Sequence, residues 1–131
     1  SSQIATHDKE GYLAGFANCE GGYLPLVCTL NAARIFDAGA RILGVTHIEL
    51  SHLALQAEPG SGGLTLLPYF EGERTPNRPK ARGVLSGMTL ENSTRTNIAR
   101  VFVEGVALSM LDAVNQLKAN GELRITSSTL Y

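Results

Sequence analysis

The stretch GLTLLPYFEGERTPNRPKARGVLSGMT, residues 63–89, decides how the rest of the chain is read. It opens as a near-continuous apolar run over 64–70, which predicts a strand buried on both faces. The run breaks into EGERTPNRPKAR over 71–82, a polar segment with prolines at 76 and 79 that suits an ordered surface loop. A second short strand is expected over 83–88, where Val84, Leu85 and Met88 are flanked by Gly83 and Gly87. Gly72, Glu73 and Arg74 put charge at the exit of an apolar strand, and two readings are open. The Glu-Arg pair lines a cleft and touches phosphate or a second domain. Alternatively it pins the loop, with Arg74 bonding carbonyls and Glu73 accepting loop N–H groups. The second is favoured, because a fixed loop after a buried strand needs internal partners.

Working outward, GluProGly at 58–60 followed by Ser-Gly-Gly marks the firmest break upstream. Residues 47–57 before it read as a short helix with Ile48, Leu50, Leu53 and Leu55 apolar, capped by Thr46 or Ser51. A longer helix is expected from Pro25, where Leu26, Leu30, Ala33, Phe36 or Asp37, Ala40 and Leu43 recur at helical spacing and Gly44 stops it. Near the start, residues 4–6 and 12–16 read as a hairpin, with a further turn over 18–22. Downstream, 96–120 is the longest helix, capped by Ser93, Thr94 or Thr96 and closed by Gly121. It is apolar nearly all round from Val101 to Leu111 and narrows afterwards, so its first half is expected to be central and its second superficial. A last strand is expected over 123–126. Strands alternating with helices place the chain among α/β domains.

Composition narrows the function classes. A net charge of −1 gives no electrostatic reason to expect nucleic acid or an anionic membrane as partner. No apolar run is long enough for a membrane span, and the polar start is unlike a signal peptide. Cys19 and Cys28 lack a CxxC spacing and read as free thiols of a cytoplasmic protein. His7, His47 and His52 form no metal-binding pattern, so no metal site is expected. The chain begins without Met and ends on a strand-like piece, and both features predict an excised segment.

Among charged residues, Glu104 lies in the apolar run VFVEGVAL and is expected to pair with Arg100, four residues back on the same helix face. Asp8 and Glu10 read as a solvated pair at a hairpin tip. Gly60, Ser61, Gly62 and Gly63 mimic a phosphate cradle but lead into a strand, whereas a phosphate loop opens a helix, so turn chemistry is preferred.

The block LLPYxxGERTPxxPxAxGxxxGxT over residues 66–89, followed by NIARVFVEGVALSMLDAVNQLKANG, resembles the C-terminal domain of the FGGY carbohydrate kinases, the xylulose-phosphorylating ones most of all. The resemblance runs from about residue 11 to 121. Before its Glu-Gly the family usually has Ala-Arg-Ala, where this chain has Ala99, Arg100 and Val101 followed by Phe102 and Val103.

The resemblance implies an α/β ribonuclease H-like, actin-like ATPase fold, with residues 1–131 forming part of the C-terminal, nucleotide-side (second) domain of a two-domain sugar kinase. It implies ATP and Mg²⁺ in the parent enzyme, xylulose as substrate, and transfer governed by positioning and charge neutralisation. The N-terminal sugar-binding domain, the general-base Asp and the Gly-rich adenosine loop are expected outside this sequence. The segment is therefore expected to carry no catalytic residue and to be inactive alone. Asn31, Ala33 and Asp37 fall where the family's nucleotide-side wall stands; as ordinary helix residues, Asn31 is instead a local cap and Asp37 solvated. Truncated sheet edges near Ile125 and the helix face around Phe102 and Met110 predict a homodimer or strand-exchanged oligomer. The rival expectations are a non-catalytic interaction or oligomerisation module, or a kinase of glycerol, ribulose or gluconate.

Overall fold

The computed structural model describes residues 2–3, 5, 8–9 and 11–121, with the side chains of 120 and 121 left aside. The expected strands over 4–6 and 123–126, His7, Glu10 and the edge near Ile125 lie wholly or partly outside the described residues.

The first hairpin pairs β1 (Ala14–Ala17) with β2 (Tyr23–Leu26), antiparallel, from Ala14 opposite Leu26 to Ala17 opposite Tyr23. Its turn is organised by Asn18, whose Oδ1 accepts from the N–H groups of Glu20 at 3.0 Å and Gly22 at 2.6 Å. The helix expected from Pro25 therefore starts late. Tyr-Leu-Pro-Leu is extended, and α1 runs only over Ala33–Leu43, buried along Ile35, Ala38, Gly39 and Ala40. Apolar spacing upstream was a strand and its exit, not helix. Asp8, read as solvated, accepts instead from the N–H groups of Tyr12 and Leu13, at 2.5 and 2.8 Å.

Gly44 closes α1 in the left-handed region at φ 64°, which lets the Val45 N–H return to the Ala40 carbonyl at 3.0 Å. Two residues on, Thr46 caps α2 (His47–Gln56) in a reciprocal box with Glu49. Hydrogen bonds from Thr46 hold the Glu49 carboxyl below its ordinary range. Ser51, the alternative cap, donates to the His47 carbonyl instead, at 3.0 Å.

The second hairpin pairs β3 (Thr65–Leu67) with β4 (Val84–Ser86) antiparallel, Leu66 opposite Leu85. The strand predicted over 64–70 is shorter and one-sided: Leu66 is buried while Thr65 and Leu67 face outward. Pro68 cannot donate to a ladder and ends it. The long helix α3 (Arg95–Gly121) starts at Thr94, whose Oγ1 accepts from the Asn97 N–H at 3.2 Å.

The core lies where α1 and the second hairpin meet the first half of α3: Ile35, Leu64, Leu66, Val101, Phe102 and Val106. A second cluster, Ala40, Leu50, Ala54 and Ala99, seats α2 on the same helix. Two glycines admit the close approaches. A side chain at Gly105 would meet Leu66 at 3.0 Å, and one at Gly39 would meet the Phe102 ring at 2.9 Å. Burial along α3 ends at Val106, earlier than the pattern predicts: Leu108 and Leu111, inside the all-round apolar run, are 60% and 52% exposed. Met110 is 42% exposed, but Phe102, expected on the same open face, is 3% exposed beneath α1.

Candidate functional site

Behind the second hairpin, the chain after β3 folds onto the start of α1, and Glu73 is the reason. Its carboxylate is 1% exposed and gathers four donors from two segments. The Thr29 hydroxyl and Leu30 N–H lie at 2.8 Å each, the Asn31 amide at 3.0 Å and the Arg74 N–H at 2.7 Å. Burial pushes this carboxyl upward in pKa, but the bonds from Asn31, Leu30, Thr29 and Arg74 outweigh it and leave it below the ordinary carboxylate value. Gly72 stands at φ 75°, and a side chain there would meet the Pro79 carbonyl at 2.5 Å, so the turn needs glycine. The loop closes on itself through Glu73 and Arg78, whose backbones exchange bonds of 2.9 and 2.8 Å. Arg74 reaches the Cys28 sulfur at 3.7 Å rather than carbonyls.

This clamp builds one wall of a cleft of about 270 Å³ lined by Asn31, Arg34, Asp37, Arg41, Phe70 and Glu71. Ile35 and Ala38 form part of its apolar floor. Arg34 pairs with Glu71 across the rim at 2.5 Å, and Asp37 with His47 at 2.8 Å. The cleft thus sets a small apolar floor beneath a rim that carries both charges.

Of the three residues singled out for the nucleotide side, Asn31 and Asp37 line this cleft and Ala33 does not. The ordinary helix role fails for Asn31 and holds for Asp37. The N-cap is Ala32 and receives no side-chain cap bond, while Asn31 turns to Gly72 and Glu73; Asp37 is solvent-exposed beside an equally exposed His47. Arg34, Arg41, Phe70 and Glu71 were missed. Spacing held the signal for the arginines: 34, 37 and 41 share one face of a helix.

A second carboxylate is organised in the same way. Glu104 accepts from Arg100 Nε at 2.6 Å, the Ser61 hydroxyl at 2.8 Å and the Gly60 N–H at 3.0 Å. Burial raises its pKa, and the bonds from Arg100, Gly60 and Ser61 bring it below the ordinary value. The expected pair with Arg100 is present, and the cradle-like Gly60-Ser61 turn holds the chain's own carboxylate. Among the described residues no group of three or more His, Cys, Asp or Glu is placed to hold a metal ion, and no helix is long and apolar enough to cross a membrane.

The family model for the "FGGY family of carbohydrate kinases, C-terminal domain" matches residues 5–127. The chain belongs to that family. Its fold is accordingly that of the C-terminal lobe of the actin-like sugar kinases, seen in part. It is 52% identical to the xylulose kinase from Bifidobacterium adolescentis, with a TM-score of 0.86 over 92% of this chain and 24% of that one. The xylulose kinase of Streptomyces rubiginosus is 38% identical over 82% of this chain and 21% of its own length. The glycerol kinase of Gluconobacter oxydans is 33% identical over 69% of this chain and 19% of its own. The FGGY segment thus spans about a fifth of the length of the curated relatives it matches.

Proposed function

We propose that the chain is part of the C-terminal, nucleotide-side domain of an ATP-dependent sugar kinase that phosphorylates xylulose. The likeness to the Bifidobacterium xylulose kinase, at 52% identity, carries the substrate reading. The cleft beside α1 supports a nucleotide role: Asn31, Arg34 and Asp37 supply polar contacts above the floor of Ile35 and Ala38. In phosphoryl transfer the protein mainly positions reactants and neutralises charge, and Mg²⁺ enters on the phosphate oxygens of ATP. This segment binds and orients the nucleotide, and alone it does not turn over. Gly72, Glu73 and Arg74 are assigned a structural role, with Glu73 the anchor. The protein works in the cytoplasm.

Turnover of the complete protein that carries this chain, followed by ADP release with xylulose, ribulose, gluconate and glycerol, tests the assignment. The highest kcat/KM is expected for xylulose. Turnover of a different polyol alone moves the substrate, and turnover of none overturns the kinase reading. Leu108, Met110 and Leu111 on the outer half of α3 are exposed, which supports a homodimer or strand-exchanged pair for the chain alone. A monomer by light scattering at high concentration overturns that.

A further inference from the structure

Asn31 is 2% exposed, and its amide offers two N–H donors and one carbonyl acceptor. Its donors are committed. Nδ2 reaches the Gly72 carbonyl at 2.6 Å and Glu73 Oε2 at 3.0 Å. Neither partner has a proton to give, since a peptide carbonyl and an ionised carboxylate only accept. Turning the amide over would press its Oδ1 against two oxygens, so the side chain has one stable orientation. Thr29, Leu30 and the Arg74 N–H hold the carboxylate in place behind it.

The remaining atom is Oδ1. No donor among the described residues reaches it, and none of their side-chain polar atoms is both sealed from solvent and without a partner. Oδ1 therefore keeps an opening, and the space that Asn31 lines is the cleft beside α1.

We propose that Glu73 is a positioning residue of this cleft. Together with the Gly72 carbonyl it holds the Asn31 amide with Oδ1 turned to the nucleotide, so that the cleft selects a ligand group that donates a hydrogen bond there. The inference rests on the nucleotide reading given above. Two parts of a nucleotide carry such a donor, a ribose hydroxyl and an exocyclic amine.

The complete protein is tested by equilibrium binding of ATP, 2′-deoxy-ATP, 3′-deoxy-ATP and purine riboside triphosphate, with steady-state kinetics alongside. The analogue lacking the donor is expected to bind wild type about fivefold to tenfold more weakly than ATP, the worth of one hydrogen bond, and its identity tells ribose from base. Glu73→Gln keeps the shape but places an amide beside Asn31, which releases the orientation. ATP should then bind as weakly as that analogue, discrimination should vanish, and KM for ATP should rise far more than kcat falls. Asn31→Ala should lose the same discrimination, and the double variant should be no worse than Asn31→Ala alone. If Glu73→Gln does not fold, Asn31→Ala and the analogue series carry the test. Equal binding of all four nucleotides to wild type, or additive losses in the double variant, overturns the proposal. A folded wild-type protein that binds no nucleotide overturns the nucleotide reading itself, and this inference with it.

Discussion

The tightest helix contact is also the easiest to challenge. Gly39 lies in the interior of α1, and a side chain there would sit 2.9 Å from two ring atoms of Phe102. Carbon pairs favour about 3.5–4.0 Å, so Gly39→Ala forces the ring to retreat by roughly half an ångström or more. Phe102 has little room to do so. It is 3% exposed, packs with Ile35, Leu64, Leu66 and Val106, and meets Phe70 edge-on with ring centres 6.1 Å apart. Overpacking of this kind costs about 1–3 kcal/mol, against a gain of about 1 kcal/mol in helix propensity on replacing glycine by alanine. Gly39→Ala is therefore expected to destabilise by about 1 kcal/mol. In a Phe102→Ala background both ring atoms are gone and only the Cβ, 3.2 Å away, remains, so the same change should be close to neutral or stabilise by up to about 1 kcal/mol. Urea denaturation of the four chains gives the coupling, expected at about 1–3 kcal/mol. Stabilisation of wild type by Gly39→Ala, or additivity within about 0.5 kcal/mol, would refute the packing argument.

Gly44 and Gly72 form a second matched pair. Both have positive φ, but a side chain at Gly44 meets nothing within 4 Å whereas one at Gly72 meets a carbonyl at 2.5 Å. Gly44→Ala should cost about 1–2 kcal/mol for the left-handed backbone alone and Gly72→Ala distinctly more; equal thermal shifts would remove the case for a steric role at Gly72. For pH, the Glu73 carboxyl is depressed when folded, so its contribution is full above its unfolded value, about 4.3, and is lost as pH falls through the folded value. The stability gap between wild type and Glu73→Gln, read from urea midpoints, should thus be widest near neutrality and shrink in acid; a gap that widens in acid contradicts this sign. Finally, Glu104→Ala leaves the Gly60 N–H and the Ser61 hydroxyl without their acceptor and Arg100 with only the Ala54 carbonyl, and should cost about 2–3 kcal/mol. Thr46→Ala, which removes only a cap, should cost about 1 kcal/mol, and similar melting temperatures for the two would count against the Glu104 network.

Much of this was legible because local chemistry and packing agreed. Gly44 after an apolar repeat and Thr46, one of two candidate caps, each announce a local outcome that was adopted, whereas burial along α3 stops before its apolar run does. The start of α1 was misread because Leu26 and Leu30 happen to fall at helical spacing while Pro25 suits a helix's first turn as well as a strand edge. Only the pairing of β2 with β1 decides between them, and pairing is a long-range fact. The same limit applies to the cleft. Asn31 and Asp37 came from family likeness, and Arg34 and Arg41 were readable from spacing. Phe70 and Glu71 reach the site from the other side of the hairpin, which no local pattern records. That Asn31 serves Gly72 and Glu73 rather than its own helix is likewise tertiary.

The Glu104 network has a mechanical side. Its acceptor rides on α3 while two of its donors belong to the Gly60-Ser61 turn, so a rotation of the helix about its axis drags that turn along or tears both bonds. Helix and turn are geared together. In any hinged machine that includes this segment, they travel as one part, and an arriving phosphate finds that seat already taken from within.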